Sequence, residues 1–240
     1  MIPRFFCPPD LPQGGEYDLP DMVAHHAAKV LRLRVGASLV LFDGSGREVE
    51  ARLLSVGRAS RVALLRWSAP ERESPLRTVL VQALASAEKL DWVVQKAVEL
   101  GVSAIQPIVA ERSVSRLSGD RAERRERHWQ QVAVAACEQS GRNLIPRIEP
   151  IAELAQWLGQ SREAPPLVLR PDSGRRLSAL PKPAGDVRLL VGPEGGWSER
   201  ELAMFDTAGC LGVALGPRVL RTETAGLAAL AAAQLLWGDF

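Results

Sequence analysis

The sequence predicts an α/β protein with a small, mostly β N-terminal domain, residues 1–70, and a larger C-terminal domain, residues 76–240. The N-terminal part contains short apolar or alternating strand segments and a single helical segment. A polar stretch bounded by prolines, from Ser68 to Pro75, is the best candidate for a linker. From Leu76 onward, strands and helices alternate, which is typical of a mostly parallel sheet covered on both faces.

The N-terminal domain is expected to form a small barrel with one helix. Phe5 and Phe6 are interpreted as packing residues of an N-terminal strand. The segment Pro20–Leu31 carries apolar side chains at helical spacing, which predicts a helix. A turn signal at residues 43–47 follows the first of the later strands. These strands are predicted at Ser38–Phe42, Val49–Val56 and Ala59–Trp67.

Helix ends are well marked in the C-terminal domain. Gly101 and Gly141 each follow a helical segment, where glycine commonly ends a helix. Ser198 and Glu201 have the spacing of a capping box at a helix start. The helices are predicted at Ala87–Leu100, at Arg121–Ser140, from Ser198 onward and at Ala225–Trp237. The strands are predicted at Arg77–Leu84, Val102–Val109, Pro166–Arg170, Val187–Val191 and Gly212–Leu215.

Two strand–loop–helix segments near the C-terminus give the clearest functional signal. The first runs from Val187 into Gly192-Pro-Glu-Gly-Gly196, and the second runs from Val213 to Ala225. In open α/β sheets ligands bind at the carboxyl ends of strands, so both loops are predicted to face one pocket. The first loop lacks the Lys-Ser/Thr pair of a P-loop, and its Glu194 would repel phosphate. A neutral or cationic nucleoside therefore fits better than a triphosphate.

The composition constrains the partners only weakly. The formal net charge is +2, yet 26 of the 30 basic residues are arginine, a side chain suited to phosphate and base contacts. A nucleic-acid partner is thus allowed but not shown. Neither an apolar run of membrane-spanning length nor a signal peptide is recognised, which predicts a cytoplasmic protein. The histidines (His25, His26, His128) lack metal-ligand spacing, and the cysteines (Cys7, Cys137, Cys210) are expected to be reduced structural thiols.

Several charged residues could contact RNA. Arg4 is a candidate phosphate contact, and a basic face could form around His25, although a solvated helix face fits the same residues equally well. Arg112 follows a strand, where active sites of α/β proteins collect loop residues. Thr222 or Thr224 is the expected N-cap of the last helix. The residues predicted to bind RNA are Arg4, His25, Arg32, Arg34 and Arg142.

The two loop motifs resemble a known family. Gly192-Pro-Glu-Gly-Gly196 and Leu215-Gly-Pro-Arg-Val-Leu-Arg-Thr-Glu-Thr-Ala225 are similar to the hallmark motifs of the RsmE family of SPOUT methyltransferases. Val219 stands where isoleucine is more usual, which is a conservative departure. Supporting matches, in the family's order, are Arg4–Phe6, His25-His26, Val30–Arg32, Gln95-Lys96, Glu99–Val102, Glu111–Ser113, Glu138–Arg142 and Ile145-Pro146. The resemblance therefore covers essentially the whole chain.

The resemblance implies a specific fold and activity. A PUA-like RNA-binding barrel is expected at the N-terminus, followed by a domain with a deep trefoil knot. Periodicity alone would argue against a knot, because knots are nearly absent from folds. The family is homodimeric, uses S-adenosylmethionine and methylates N3 of one uridine in the 16S rRNA of the 30S subunit. No metal and no membrane are expected.

The resemblance also suggests residue roles. Arg221 is expected to stabilise the negative charge that develops on the uridine oxygens. Glu223 is the weaker candidate for proton acceptor, and Arg112, Arg4 or Arg142 would hold the RNA. The residues expected to bind the cofactor are Leu169, Val191, Gly192, Pro193, Glu194, Gly195, Gly196, Leu215, Gly216, Arg218, Leu220 and Thr224.

Two alternatives remain open at the level of sequence. A related knotted methyltransferase could act on another position of RNA, such as a ribose 2′-hydroxyl. An RNA-binding assembly factor could keep the fold without catalysis. The N-terminal barrel and the Thr222–Ala225 segment favour the uridine-N3 enzyme over the related methyltransferase. The assembly factor would be indicated by loss of the glycines at 192–196 or of Arg221, and all of these are present.

Overall fold

A computed structural model describes residues 2–7, 11–57, 59–114 and 117–240 of the chain. It divides the protein into two compact units. The first, called unit 1, comprises residues 1–73 and 137–145, and unit 2 comprises residues 74–136 and 146–240. The change of unit after Glu73 falls within the stretch that the sequence indicates as a linker. The membership of residues 137–145 in unit 1 was not anticipated.

Unit 1 is built on a five-stranded sheet. Its strands are β1 (Arg4–Phe6), β2 (Gly15–Asp18), β3 (Ser38–Phe42), β4 (Glu48–Ser55) and β5 (Arg61–Ser68). Their order is β1-β3-β4-β5-β2, with β1 parallel to β3 and the other pairs antiparallel. Alternate residues of β4, including Val49, Ala51 and Leu53, are buried, as expected for a sheet that buries one face. The sequence missed β2 because that strand is polar and has no apolar alternation.

The helix of unit 1 changes from α-helical to π-helical geometry at His26. Helix α1 (Asp21–His25) continues into a π-helical turn over His26–Val30, so the predicted helix is present with a local irregularity. The amide of Leu31 donates to the carbonyl of His26 at 3.0 Å, which is the wider spacing of a π-turn. Arg32 then takes a positive φ of 52°, and the chain leaves the helix there.

Unit 2 is built on a parallel sheet of seven strands, which confirms the predicted sheet type. The order is β12-β10-β11-β6-β7-β8, with β9 also paired to β7. The strands are β6 (Thr78–Ala83), β7 (Ala104–Val109), β8 (Arg147–Ile148), β9 (Ala152–Glu153), β10 (Leu167–Leu169), β11 (Val187–Val191) and β12 (Leu211–Val213). The two-residue strands β8 and β9 were missed because they are too short to show a period.

The helices of unit 2 cover both faces of this sheet. They are α2 (Ala87–Glu99), α3 (Asp120–Ser140, whose last four residues belong to unit 1), α4 (Leu154–Leu158), α5 (Glu199–Thr207) and α6 (Thr222–Trp237). On one face, Trp157 of α4 and Phe205 of α5 join a core cluster with Val81. On the other, a Cβ atom at Gly226 of α6 would lie 3.1 Å from Leu80, so glycine permits the close approach of this helix. In the described part of the chain, the helices are too short or too polar to span a bilayer.

The register of the sheet brings four strand ends to one edge. Val191, the last residue of β11, pairs with Gln82 of β6. Leu169, the last residue of β10, pairs with Val213 at the end of β12. The two loops singled out in the sequence leave the sheet at this edge, after β11 and β12.

Candidate active site

A cavity of about 600 Å³ lies at the carboxyl edge of β10, β11 and β12 in unit 2. This volume is within the usual range for small-molecule sites. Most residues expected to bind the cofactor line it: Leu169, Val191, Gly192, Pro193, Glu194, Gly196, Leu215, Gly216, Arg218 and Leu220. Gly195 and Thr224 do not. The predicted convergence of the two loops on one pocket is therefore observed.

Further lining residues were not expected to bind the cofactor, and several of them lie in the two loop segments themselves. Lys89 belongs to the first turn of α2, and Trp197 directly follows the glycine-rich loop. The remainder of the wall is formed by Arg170, Pro171, Asp172, Leu202, Val213, Val219, Arg221, Thr222 and Ala225. The sequence contains no signal for Lys89, because its place in the wall depends on the packing of α2 beside the sheet.

The glycine-rich loop depends on the indole ring of Trp197. A Cβ atom at Gly192 would lie only 3.1 Å from this ring, so even alanine would force a shift. The ring packs edge-on against Phe205, with centroids 4.8 Å apart, and its Nε1 atom lies 3.4 Å from the carbonyl of Leu169. Gly196 has a φ of 66°, a conformation that favours glycine.

The predicted capping box at Ser198 is confirmed. The amide of Glu201 donates to Ser198 Oγ at 3.1 Å, and the amide of Ser198 donates to Glu201 Oε2 at 2.8 Å. The carboxylate of Glu201 is buried and also accepts from the amide of Glu111 at 2.9 Å. This glutamate thus joins the start of α5 to the loop after β7.

Arg112 supports the glycine-rich loop. Its Nη1 atom donates to the carbonyl of Gly195 at 2.9 Å. A Cβ atom at Gly195 would lie 3.0 Å from the Cβ atom of Arg112. Arg112 is not among the residues of the cavity wall, and its predicted part in the reaction or in holding the RNA stays a prediction.

The N-cap expected at Thr222 or Thr224 is wrong. Helix α6 begins at Thr222 with Arg221 as its N-cap residue, and the amides of Thr224 and Ala225 bond to the carbonyl of Arg221. The hydroxyl of Thr222 instead donates to the carbonyl of Gly192 at 2.6 Å and accepts from Gln82 Nε2 at 2.9 Å. A side chain already engaged with the sheet and the other loop is not available to cap its own helix.

The charged groups of the wall fall into two classes. Lys89 pairs with Glu194 at 3.0 Å, and Arg170 pairs with Asp172 at 2.8 Å. Arg218 and Arg221 are exposed and form no ion pair with any residue that the structure describes. Two cations of the wall are therefore neutralised, and two are left to attract an anionic group.

The Lys89–Glu194 pair perturbs both ionisable groups. The hydrogen bond to Glu194 raises the pKa of Lys89. Burial alone would raise the pKa of Glu194, but hydrogen bonds from its own amide and from Lys89 outweigh burial and lower it. Both groups are therefore charged at neutral pH.

Glu223 lies in the first turn of α6, just outside the residues that line the cavity. Its Oε2 atom is buried and has no hydrogen-bond donor among the described residues, although Lys89 Nζ lies 3.5 Å away. A buried carboxylate oxygen without a donor retains its capacity to accept a proton or a hydrogen bond.

Comparison with known proteins identifies the family. An RNA methyltransferase domain model matches residues 72–234, and an RNA methyltransferase PUA domain model matches residues 19–60. Ribosomal RNA small subunit methyltransferase E of Mycobacterium bovis is 36% identical over 98% of this chain and 93% of its own length. The chain belongs to the ribosomal RNA small subunit methyltransferase E family.

Two solved structures match this fold over their full length and support the family assignment. Ribosomal RNA small subunit methyltransferase E of Neisseria gonorrhoeae, crystallised with S-adenosyl methionine, is 42% identical to this chain. The match covers both chains completely, with a TM-score of 0.95. A Legionella pneumophila protein described as a methyltransferase, solved with bound cofactor SAM, matches at 34% identity over both full chains with a TM-score of 0.96.

The basic residues of unit 1 that were predicted to bind RNA differ in their solvent exposure. His25, Arg32 and Arg34 are exposed, and their predicted RNA contact stays a prediction. Arg4 is different, because only 9% of its side chain is exposed and its Nη1 atom bonds to Glu48 at 2.6 Å. Its other terminal nitrogen donates to Asn143 at 2.6 Å.

Arg142 is likewise buried, and it pairs with Glu73 at 2.6 Å. Each guanidinium thus has a carboxylate partner inside unit 1, and the RNA role of Arg4 and Arg142 stays a prediction. Within unit 1, Arg72 also bonds to Glu48 at 2.7 Å and to the carbonyl of Gly141 at 2.9 Å. These contacts explain why residues 137–145 belong to this unit.

Proposed function

We propose that this protein transfers a methyl group from S-adenosylmethionine to N3 of one uridine in the 16S rRNA of the 30S subunit. The observation that carries the proposal is the cavity of unit 2, whose wall combines two glycine-containing loops with two arginines that have no carboxylate partner among the described residues. The family assignment supports the substrate, and the Neisseria gonorrhoeae relative supports the cofactor.

The wall suits an adenosine. Leu169, Val191, Val213 and Leu215 provide apolar surface for a flat base. Gly216 has a φ of 116°, and no atom lies within 4 Å of a Cβ built there, so the loop leaves its backbone open to a ligand. When bound, S-adenosylmethionine would supply a methyl group on a sulfonium, which is a good leaving group. The task left to the protein is alignment and exclusion of water.

Arg218 and Arg221, which form no ion pair within the described part of the chain, suit a uridine as the methyl acceptor. Uridine N3 must lose its proton, and the resulting negative charge spreads over O2 and O4. Arg221 is positioned in the wall to stabilise that charge, and Arg218 adds a second cation for the nucleotide. Glu223, whose Oε2 atom lies 3.5 Å from Lys89 Nζ, is the candidate acceptor of the proton. Arg112 contributes by holding the glycine-rich loop in place.

The finer architecture is part of the proposal. We infer that the sheet of unit 1 closes into a PUA-like barrel, that the loops around the cavity form a trefoil knot, and that residues 1–70 grip RNA while residues 76–240 perform the transfer. Exposed apolar residues on α2 and α6, namely Trp92, Leu235 and Leu236, support a homodimer. The site requires no metal, and the protein would act in the cytoplasm, where ribosomal subunits are assembled.

The direct test is to incubate the protein with labelled S-adenosylmethionine and 30S subunits that lack the modification, and then to map the labelled nucleotide. Label at uridine N3 is expected. Subunits that already carry the methyl group serve as the matched control and should take up none. Label on a ribose or another base would overturn the substrate assignment. Cofactor binding without transfer to subunits or naked rRNA would favour an RNA-binding assembly factor.

A further inference from the structure

Lys89 connects the two segments that build the cavity. Its Nζ atom lies 3.0 Å from Oε1 of Glu194 in the glycine-rich loop and 3.5 Å from Oε2 of Glu223 at the start of α6. Lys89 itself projects from α2, a third element. Two carboxylates from separate parts of the chain thus share one ammonium group.

The helix that carries Lys89 is firmly anchored. Leu90, Val93 and Val94 of α2 are buried, so the backbone beside Lys89 is fixed by the core of unit 2. The side chains of Lys89 and Glu194 are each 29% exposed, and that of Glu223 is 19% exposed. Partial burial reduces the screening by water and strengthens these interactions relative to a pair on the open surface.

The charge balance of this group makes the lysine difficult to replace. One cation faces two anions, and Oε2 of Glu223 has no hydrogen-bond donor among the described residues. Without Lys89, two carboxylates would remain close together with no cation between them. Their repulsion would push the glycine-rich loop away from the start of α6.

We propose that Lys89 is a positioning residue that holds the glycine-rich loop and the start of α6 at the separation needed to bind the cofactor. The inference rests on the proposed function, because it assumes that the cavity takes S-adenosylmethionine. Although Lys89 also lines the cavity, its proposed role is exerted through the two loops and does not require contact with the ligand. Its loss should therefore weaken the binding of S-adenosylmethionine and of the product S-adenosylhomocysteine, whose sulfur is uncharged, equally.

The test measures the binding of both compounds by calorimetry in the absence of RNA. Lys89→Met should raise both dissociation constants about tenfold, whereas Lys89→Arg, which keeps the cation, should stay within about threefold of the unmodified protein. Arg77→Met is the matched control. It removes an ion pair of 2.9 Å with Asp186, at the amino ends of β6 and β11, opposite the cavity, and should leave both constants unchanged.

Each outcome decides something different. If the unmodified protein binds neither compound, the proposed function fails. If it binds both and Lys89→Met binds them equally well, the positioning role is wrong. Tighter binding of S-adenosylmethionine alone would mean that Lys89 repels the sulfonium directly, which also contradicts the proposal.

A stability measurement and two further variants distinguish a positioning role from a simple loss of stability. The thermal midpoint of the ligand-free protein should be similar for Lys89→Met and Lys89→Arg. If Lys89→Met does not fold, Glu194→Gln and Glu223→Gln test the same contacts from the other side. Each should weaken the binding of both compounds, whereas Arg77→Met should not. Unchanged affinity in both glutamine variants would show that these contacts do not position the loops.

Discussion

The hydroxyl of Thr222 donates a hydrogen bond of 2.6 Å to the carbonyl of Gly192. This contact joins the first residue of α6 to the loop after β11, thirty positions earlier in the chain. Gln82 Nε2 in turn donates to the same hydroxyl at 2.9 Å. A strand, a loop and a helix thus meet at one buried oxygen on the cavity wall.

Thr222→Val keeps the shape of this side chain and removes both hydrogen bonds. We expect the free energy of unfolding to fall by about 1–3 kcal/mol, because buried polar groups lose their partners. The affinity for S-adenosylmethionine should fall as well, since Gly192 lines the cavity. Calorimetry and urea unfolding measure the two effects. Thr222→Ser retains the hydroxyl, so its unfolding free energy and its affinity should stay near those of the unmodified protein. Full affinity in Thr222→Val would show that the contact is not needed for binding.

Glu201 offers a second test of how the site is supported. Its two carboxylate oxygens accept from the amides of Ser198 and Glu111, so Glu201→Ala removes a helix cap and leaves these two amides without their partner. A loss of about 2 kcal/mol in unfolding free energy is expected. Urea denaturation measures it. Glu199→Ala, at an exposed position of the same helix, is the comparison variant, and equal losses in the two would refute the assigned role.

The ion pairs of unit 1 predict a dependence of stability on pH. Burial alone would raise the pKa of Glu48, but hydrogen bonds from Arg72, Arg4 and Asn143 outweigh burial and lower it. A carboxyl whose pKa is lower in the folded chain stabilises the fold above its unfolded pKa. This contribution is lost as the pH falls through the lowered folded value.

Glu48→Gln should therefore be less stable than the unmodified protein at pH 7, and the difference between them should shrink in acid. Thermal unfolding between neutral pH and about pH 3 measures this convergence. Glu50→Gln, which alters an exposed pair with Arg66, provides the control. A stability difference that stays constant across the range would mean that ionisation of Glu48 does not stabilise unit 1.

The sequence was most informative where a local pattern determines the structure. Strand and helix alternation predicted the parallel sheet, and the Ser198–Glu201 spacing predicted a capping box that the structure contains. The two glycine-containing loops predicted the cavity because strand ends determine where such loops lie.

Partners that are distant in the chain could not be predicted in this way. Nothing in the sequence pairs Arg4 with Glu48 or Arg142 with Glu73, and the burial of both arginines follows only from packing. The place of Lys89 in the cavity wall likewise follows from the packing of α2. Such contacts depend on tertiary structure and leave no periodic signal.

The most direct test of the account is the single-turnover rate of methyl transfer by Arg221→Ala on 30S subunits at saturating S-adenosylmethionine. Because this arginine is proposed to stabilise charge on the uridine, the rate should fall about 10²–10³-fold. The dissociation constant of the cofactor should change little. A rate within about threefold of the unmodified protein would contradict the assignment of Arg221, and with it the chemistry proposed for this cavity.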